Sequence, residues 1–497
     1  MQLTKALRFA IPAVLMLALA ACASDAAQKS PADKPDQTAG EAPPPVASDA
    51  RPAVYLDGLY ATSTEPGQDV AALFDNNDAT GWRTQTGAGP DEGIMLYFSD
   101  RQQVSVAAVQ VDAADGSFAG DDSHIQIYVN GQLDNSGKAN SKITLEPLKS
   151  GEALRSLFVR FAATGKETTG KPRTDGEEKT VVKTFPADAF VALKQVSLLN
   201  AAGQPLRVVP PRRMAGKVMA TSTLKPESAY SAANLFDGRK EFVWAEGAAS
   251  SGEGETLAFE FGQPVNITAI QIWNGYQRSA SHYSSNARVR NFDFGERGGA
   301  AKTYTLADRS AKGGSQRIEL SPAVRGQNFE LKIRDIFKGS KYKDLAISEI
   351  VFFDGAQPFT VASDLPARYE QELRTAAAGS PLAAVLNRRI FNDMEFASMT
   401  EQQSLILRSD GTFVMYNQAD DEGISSETLA DGNWELQEAS ADKAKIKVFG
   451  KWYDFTTMQE YYKGNSEKEA TKIFSDVLTV DAEKIKGGKM LGTFWIK

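Results

Sequence analysis

Leu257-Ala258-Phe259-Glu260-Phe261 and, after Gly262-Gln263-Pro264, Val265-Asn266-Ile267-Thr268-Ala269-Ile270-Gln271-Ile272-Trp273 decide the fold class. Leu257, Phe259 and Phe261 alternate with Ala258 and Glu260, the period of two that puts one face of a strand in a core. Val265, Ile267 and Ile270-Gln271-Ile272 follow, and Phe329, Leu331 and Ile333 repeat the pattern later. Gly, Pro and Asn turns separate these short runs, and helical periodicity is nearly absent from about 55 to 356. The expectation is a mainly β chain built from antiparallel sandwiches.

The same grammar occurs twice. Ala61-Thr62-Ser63-Thr64 returns as Ala220-Thr221-Ser222-Thr223, and Leu73-Phe74-Asp75 as Leu235-Phe236-Asp237. Trp82 returns as Trp244, and Val106 to Val111 as Ile267 to Ile272. Val191-Ala192-Leu193-Lys194-Gln195-Val196 parallels Leu345-Ala346-Ile347-Ser348-Glu349-Ile350. Kept order at so many points indicates two copies of one module, at 55–208 and 214–356.

Composition narrows the function. The chain has 497 residues, room for about three domains, and its net charge of −8 argues against phosphate-backbone binding. A single Cys excludes a disulfide scaffold and a Cys-rich zinc site. Two His, His124 and His282, leave almost no room for a His-ligated metal centre. No GxSxG, HExxH, Walker or strand-borne GxGxxG motif occurs. The acid pairs Asp121-Asp122 and Glu253/Glu255 read as solvated loop carboxylates, and Lys166 to Lys183 as an exposed loop. The chain reads as a non-enzyme.

Lys5 and Arg8 precede a short apolar run, the form of a secretory signal over residues 1–21. Its end, Leu19-Ala20-Ala21-Cys22, resembles the lipobox of bacterial lipoproteins. That resemblance implies a diacylglycerol on the Cys22 thiol and palmitate-type acylation. Removing the signal takes the charge from −8 to −10. Ala23-Ser24 follow Cys22 where an Asp would favour inner-membrane retention, so in a Gram-negative host the outer membrane is expected. Residues 22–54 are rich in Ala, Pro, Asp, Ser and Gly and read as a disordered tether, with an r.m.s. span of roughly 30 Å.

Ala220-Thr221-Ser222, Asn234-Leu235-Phe236-Asp237-Gly238, Trp244 and 257–261 together resemble the discoidin, or coagulation-factor type C, jelly roll, a galactose-binding-like fold. Trp273-Asn274-Gly275-Tyr276, Tyr283, Asn286-Ala287-Arg288, Leu306-Ala307-Asp308, 316–320, Gly339 and 346–350 are closest to the branch first named from the translocation domain of an NAD-glycohydrolase toxin. That branch is regarded as glycan-binding. The first module keeps the frame but lacks the Asn-Gly-Tyr motif, since Val111 is followed by Asp112-Ala113-Ala114. It reads as a degenerate copy.

Sugars are held by flat apolar rings together with planar amide, carboxylate or guanidinium groups. Trp244, Trp273, Asn274, Tyr276, Arg278, Tyr283, Asn286 and Arg288 supply these and form the candidate ligand site. For several, a second reading stays open: Trp244 as a core plug, Trp273 as strand packing, Asn274-Gly275 as a turn, Asn286 and Arg288 as buried scaffolding. Tyr276, Arg278 and Tyr283 are the expected exposed contacts, and His282 is a surface residue unless it lies within reach of them. The resemblance also implies a structural Ca²⁺ near Asp237, although one carboxylate is few for calcium. No other cofactor is expected.

After Gly355 the pattern changes. Ser363 and Asp364 cap a helix with Pro366 in its first turn, Gly379 stops it, and Ser380-Pro381 begins a second segment carrying Leu382, Val385, Leu386 and Ile390. We read 357–403 as a helical connector and 404–497 as a small antiparallel β domain, resembling the lipocalin-like domains of envelope lipoproteins, with its aromatics in the core. The functional expectation is an envelope lipoprotein, membrane-bound through its anchor, whose second module binds a glycan or an envelope protein and no nucleic acid. The alternative is a structural or assembly lipoprotein that binds protein partners only.

Overall fold

A computed structural model gives the fold. It describes residues 51–497 except 66, 78, 86–91, 100–104, 115–123, 131, 139–141, 145–153, 163–165, 170–180, 185–189, 310–313, 397–398, 422–423, 454–471, 489–490, 492 and 497. The signal, Cys22, most of the tether and Asp121-Asp122 lie outside the described residues.

The chain is mainly β, with few and short helices. In the second module, strand Thr256–Asn274 shifts register between Glu260 and Val265, and its two halves have different neighbours within one eight-stranded sheet. Its first half pairs with Arg212–Ala220 and with Gln316–Phe337. Its second half pairs with the other end of Gln316–Phe337 and with Ala346–Asp354. Phe259, Phe292, Phe294, Phe329, Phe352 and Phe359 fill the space between the layers, all fully buried. Phe259 meets Phe352 edge-on at 5.2 Å, Phe294 stacks on Phe329 at 5.9 Å and Phe359 is tilted against Phe352 at 5.8 Å, distances at which aromatic pairs attract beyond simple area burial.

The first module repeats most of this wiring, with separate strands where the second has long ones. Ala53–Ala61 lies between Glu92–Phe98, antiparallel, and Arg207–Val209, parallel. Arg212–Ala220 lies likewise between 256–261 and Gln357–Ala362. Register agrees to the residue: Trp82 faces Leu193 as Trp244 faces Ile347, and Val111 faces Val196 as Ile272 faces Ile350. Each copy also carries one hook. Thr62 and Ser63 donate to Glu92 at 2.6 and 2.9 Å, and Thr221 and Ser222 to Glu255 at 2.5 and 2.6 Å. Glu255, read from sequence as a free loop acid, therefore ties the loop after the first strand to the sheet. The stretch 166–183, read as a loop, contains strands Lys166–Thr169 and Val181–Thr184, which pair with each other.

Two corrections concern the connector. Gln357–Ala362 is a strand that completes the second module, and Arg389–Phe396 opens the C-terminal sheet. Helix Leu365–Ala377 lies between them, with Ser363 Oγ accepting from Leu365 N at 3.2 Å while the Asp364 side chain makes no cap bond. The second helix is a short one, Pro381–Val385, and Ile390 is on a strand. Eight strands from Arg389–Phe396 to Thr493–Trp495 then follow as an up-and-down meander whose first and last strands touch. Trp434, Phe413 and Phe494 sit in its core, as the sequence reading expected of the aromatics.

The three β domains pack into one compact unit. Tyr60, Met95, Tyr97, Tyr128 and Phe158 of the first module form a buried cluster with Ile406, Val414, Tyr416 and Leu429 of the meander. Removing a large apolar side chain from water is worth about 1.5–3 kcal/mol, whereas the attraction in a buried ion pair is largely offset by the cost of desolvating both charges. The apolar face therefore dominates this contact. Arg389 Nη2 and Glu92 Oε1, 3.2 Å apart and both buried, fix its register.

Candidate functional site

The loops at one end of the second module face the meander and form a cleft of about 300 Å³. Tyr230, Tyr276 and Tyr342 line it from the module, and Asn433, Phe449 and Lys451 close it from the meander. Lys341 and Asp344 add charges of both signs. Tyr342 is 45% exposed and Tyr276 half-buried, so aromatic faces are available at the mouth. Such a mixture of flat rings and donor or acceptor groups suits a hydroxylated ring ligand.

Of the expected ligand residues, the cleft takes Tyr276, Arg278 and Asn286. Tyr276, expected as an exposed contact, is half-buried and lines the cleft. Its ring meets the His282 ring edge-on at 4.6 Å. His282 was read as a surface residue, but it lines the cleft. Burial, with Lys451 and Arg278 nearby, pushes its pKa down to about 3. The imidazole is therefore neutral at ordinary pH, with Nδ1 2.8 Å from Ser279 Oγ. Ser279 caps the short helix Ala280–Ser285, an element the sequence reading missed although Ser279 is a standard cap residue.

The other expected contacts are internal. Trp244 is fully buried, with Nε1 donating to the Ser222 carbonyl at 3.1 Å. Trp273 is 3% exposed and packs with Ala269, Val351 and Phe353. Asn274 accepts from Val289 N at 3.0 Å and donates to Val289 O at 2.8 Å, pinning two strands. Arg288 makes a two-pronged contact to Asp308 at 3.0 and 2.9 Å and donates to the carbonyls of Tyr283 and Asn286. Tyr283 is buried beneath its guanidinium, 4.8 Å from ring to Cζ. Asn286, though on the cleft wall, donates to the His282 carbonyl at 2.8 Å. Tyr283 was expected to be exposed and is instead buried, while Trp244, Trp273, Asn274, Asn286 and Arg288 have the packing or hydrogen-bonding roles left open for them in the sequence.

Arg278 needs a separate correction. It was expected to be exposed, but it is 4% exposed and bonds Asp431 of the meander through Oδ1 at 2.6 Å and the backbone carbonyl at 3.0 Å. Lys451 Nζ donates back to the Arg278 carbonyl at 3.3 Å. Burial raises the Asp431 carboxyl while Arg278 pulls it back down. Arg278 is thus the bolt between the module and the meander, a role no single-domain motif could reveal.

The turn assigned to calcium is also an interface. Asp237 and Glu349 both accept from Arg239 N, at 2.7 and 2.9 Å. Burial raises both carboxyls, Asp237 to about 7; Asp237 pushes Glu349 up further, while the hydrogen bond with Glu349 pulls Asp237 back down. Two acids that share the Arg239 N–H do not supply the six to eight oxygens a Ca²⁺ site wants. No cluster of three or more acidic, His or Cys residues arranged for a metal occurs among the described residues. The turn packs on the first module instead: a Cβ on Gly238, at φ 76°, would meet the Leu59 carbonyl oxygen at 3.0 Å. Lys240 Nζ lies 4.0 Å from the Tyr97 ring centre, and Gln271 donates to Asp57 at 2.9 Å.

This wiring is that of an antiparallel β sandwich. Residues 212–353 match the family model described as the NAD glycohydrolase translocation F5/8 type C domain. Among solved structures, the chain is similar to a mycobacterial arabinofuranosyltransferase, AftD, at 10% identity and a TM-score of 0.24, over 78% of this chain and 37% of that one. The chain thus spans little more than a third of that enzyme's length. It is also similar to the family 32 carbohydrate-binding module of C. perfringens NanJ, solved with galactose, at 11% identity and a TM-score of 0.22, over 28% of this chain and 93% of that one. The corresponding module of AlyQ, solved with 4,5-unsaturated mannuronic acid, gives 13% and 0.21, over 28% and 94%. Likeness of this degree carries no argument about ligand. A comparison with curated proteins gave no match.

Proposed function

We propose that this chain is a lipid-anchored envelope protein whose second discoidin-like module binds carbohydrate, without catalysis, in the cleft between its loops and the C-terminal meander. The observation that carries the reading is the cleft itself. It sets Tyr276 and Tyr342 beside Asn433, Lys341 and Asp344 around a volume suited to one or two sugar rings. The supporting sequence features are the discoidin-like motifs and the lipobox ending at Cys22. The ligand would be an envelope or extracellular polysaccharide, reached from a bilayer-held Cys22 through the tether. Screening the full chain on a polysaccharide array tests this. Retention of at least one polysaccharide, lost in Tyr276→Ala, is the expected result, and a blank array for the folded protein counts against it.

One observation favours the alternative of a structural or assembly lipoprotein. Arg278, the guanidinium best placed to reach a ligand, is committed to Asp431, so the loop end of the module already serves as a docking surface within the chain. On that reading a stoichiometric envelope protein co-purifies and no polysaccharide is retained.

A further inference from the structure

The three β domains and helix Leu365–Ala377 also enclose a larger cavity, of about 390 Å³. The exposed and half-exposed charges on its wall are answered. Arg213 is 3.9 Å from Asp69, Arg239 is 2.8 Å from Glu241, Asp237 accepts from Arg239 N, and Asp410 accepts from Thr412 N and Oγ1. The cleft of the second module differs. Lys341 and Tyr342 on its wall are exposed and Asp344 is partly so. Among the described residues the Lys341 ammonium, the Tyr342 hydroxyl and the Asp344 carboxylate make no hydrogen bond or ion pair. Lys341 Nζ lies 4.9 Å from the Tyr342 ring centre, so charge and ring face stand side by side.

The backbone that carries these groups is set before any ligand arrives. Ser340 N donates to the Ser284 carbonyl at 2.9 Å, and Lys341 N and Tyr342 N donate to the Ser285 carbonyl at 3.1 and 2.8 Å. A Cβ on Gly339 would meet the Ser285 and Tyr342 carbonyl oxygens at 2.3 and 2.5 Å, so this close seat requires glycine. Little backbone ordering is then left to lose on binding. The loop reads Lys338-Gly339-Ser340-Lys341-Tyr342-Lys343 before Asp344, a local excess of positive charge in a chain of net charge −8. On the cleft wall itself, Lys341, Lys451 and Arg278 face Asp344, and Asp431 answers Arg278. Burial, then Lys451 and Arg278, hold the nearby His282 imidazole neutral, the second effect being that of a positively biased wall. An ammonium is a compact point charge that accepts a carboxylate or a sulfate alike. The Asp344 carboxylate is an acceptor for hydroxyls, and it repels a doubly charged phosphate ester more than a singly charged acid.

We propose that the cleft selects acidic glycans: the single negative charge of a uronate or sulfated sugar lies on Lys341, a hydroxyl of the same ring on Asp344, and the ring face against Tyr342. This rests on the reading of the cleft as a glycan site and adds the class of sugar it takes. The test is calorimetry on the full chain with two matched pairs, polygalacturonate against its methyl ester and dextran sulfate against dextran. At least one acidic polymer binds about fivefold or more tightly than its neutral partner, as a charged hydrogen bond implies, and the pair that shows it identifies the acid. The preference shrinks in about 0.5 M salt, where screening shortens the reach of an exposed charge. Lys341→Gln brings the acid-to-neutral ratio to within about twofold of one. Lys343→Gln removes the same charge from the same loop but outside the cleft wall, and keeps the ratio within about twofold of native. Equal binding of acidic and neutral partners in both pairs, or equal loss of preference in the two variants, would overturn the proposal. If a neutral polysaccharide is retained while no acidic one is preferred, the acidic selection alone falls. If the folded chain retains no polysaccharide of either kind, the glycan reading falls with it.

Discussion

Asn274, Arg288 and Arg278 were all legible as polar residues set in an unusual loop, yet the structure gives them different tasks. Asn274 and Arg288 saturate backbone groups and Asp308 inside their own module. Arg278 reaches Asp431, 153 residues away. Removing one partner of a buried pair strands the other charge, so Arg278→Ala should destabilise the chain by about 3–5 kcal/mol. The double change Arg278→Met with Asp431→Leu should return stability to near the starting value. Urea denaturation of the three proteins checks this; equal losses in single and double variants would remove the bolt from the account. The sequence could not separate these roles, because the same amide or guanidinium serves a ligand or a strand, and only the position of the meander decides.

A second residue-scale prediction concerns pH. The folded state holds protons on Asp237 and Glu349 to higher pH than the unfolded chain does. Their contribution to stability is therefore full below the ordinary carboxylate range and is lost as pH rises above it, for Asp237 through about 7. His282, held neutral with its pKa lowered, acts in the opposite sense as pH falls below its ordinary value. Comparison with Glu349→Gln cancels that effect. Between pH 5.5 and 8 the native chain should lose stability on alkalisation at up to about 1.4 kcal/mol per pH unit for each proton concerned, and Glu349→Gln should lose less. Parallel slopes would mean the two carboxyls do not share protons in the folded state.

Among elements, the doubled module was the part most open to sequence reading. Trp82 and Trp244, with their facing strands, kept both spacing and order because each plugs the same position between equivalent strands. The short helix after Ser279 and the strand at Arg389–Phe396 escaped it. One is a single capped turn too brief for periodicity, and the other was read together with the helical segment before it. The turn at Asp237-Gly238 was legible as a turn but not as a contact. Gly238 has positive φ and faces Leu59, whereas Gly254, also at positive φ, has nothing within 4 Å. Both Gly→Ala changes carry the left-handed backbone cost of about 1–2 kcal/mol. Only Gly238→Ala should also separate the melting of the two modules in calorimetry. Identical traces for the two variants would show that the turn does not hold the modules together.

At the scale of the molecule, three β domains close around two cavities, and each cavity is walled by more than one domain. A site built this way cannot be read from a family motif, which records only one wall. Tyr342 and Phe449 were not singled out for that reason, although both line the cleft. The proposed lipid anchor is tested by fractionation: Cys22→Ala should move the protein from membranes to the soluble fraction, and unchanged membrane retention would refute acylation at Cys22. The central claim, that the cleft receives a glycan, is tested most directly by titrating the native chain, Tyr276→Ala and Tyr342→Ala with a polysaccharide retained on the array. The account predicts that each change weakens binding by about tenfold or more, as loss of a stacking ring of about 0.5–1.5 kcal/mol plus its buried area implies, while the melting temperatures stay close to native. Undiminished affinity in both variants would contradict it.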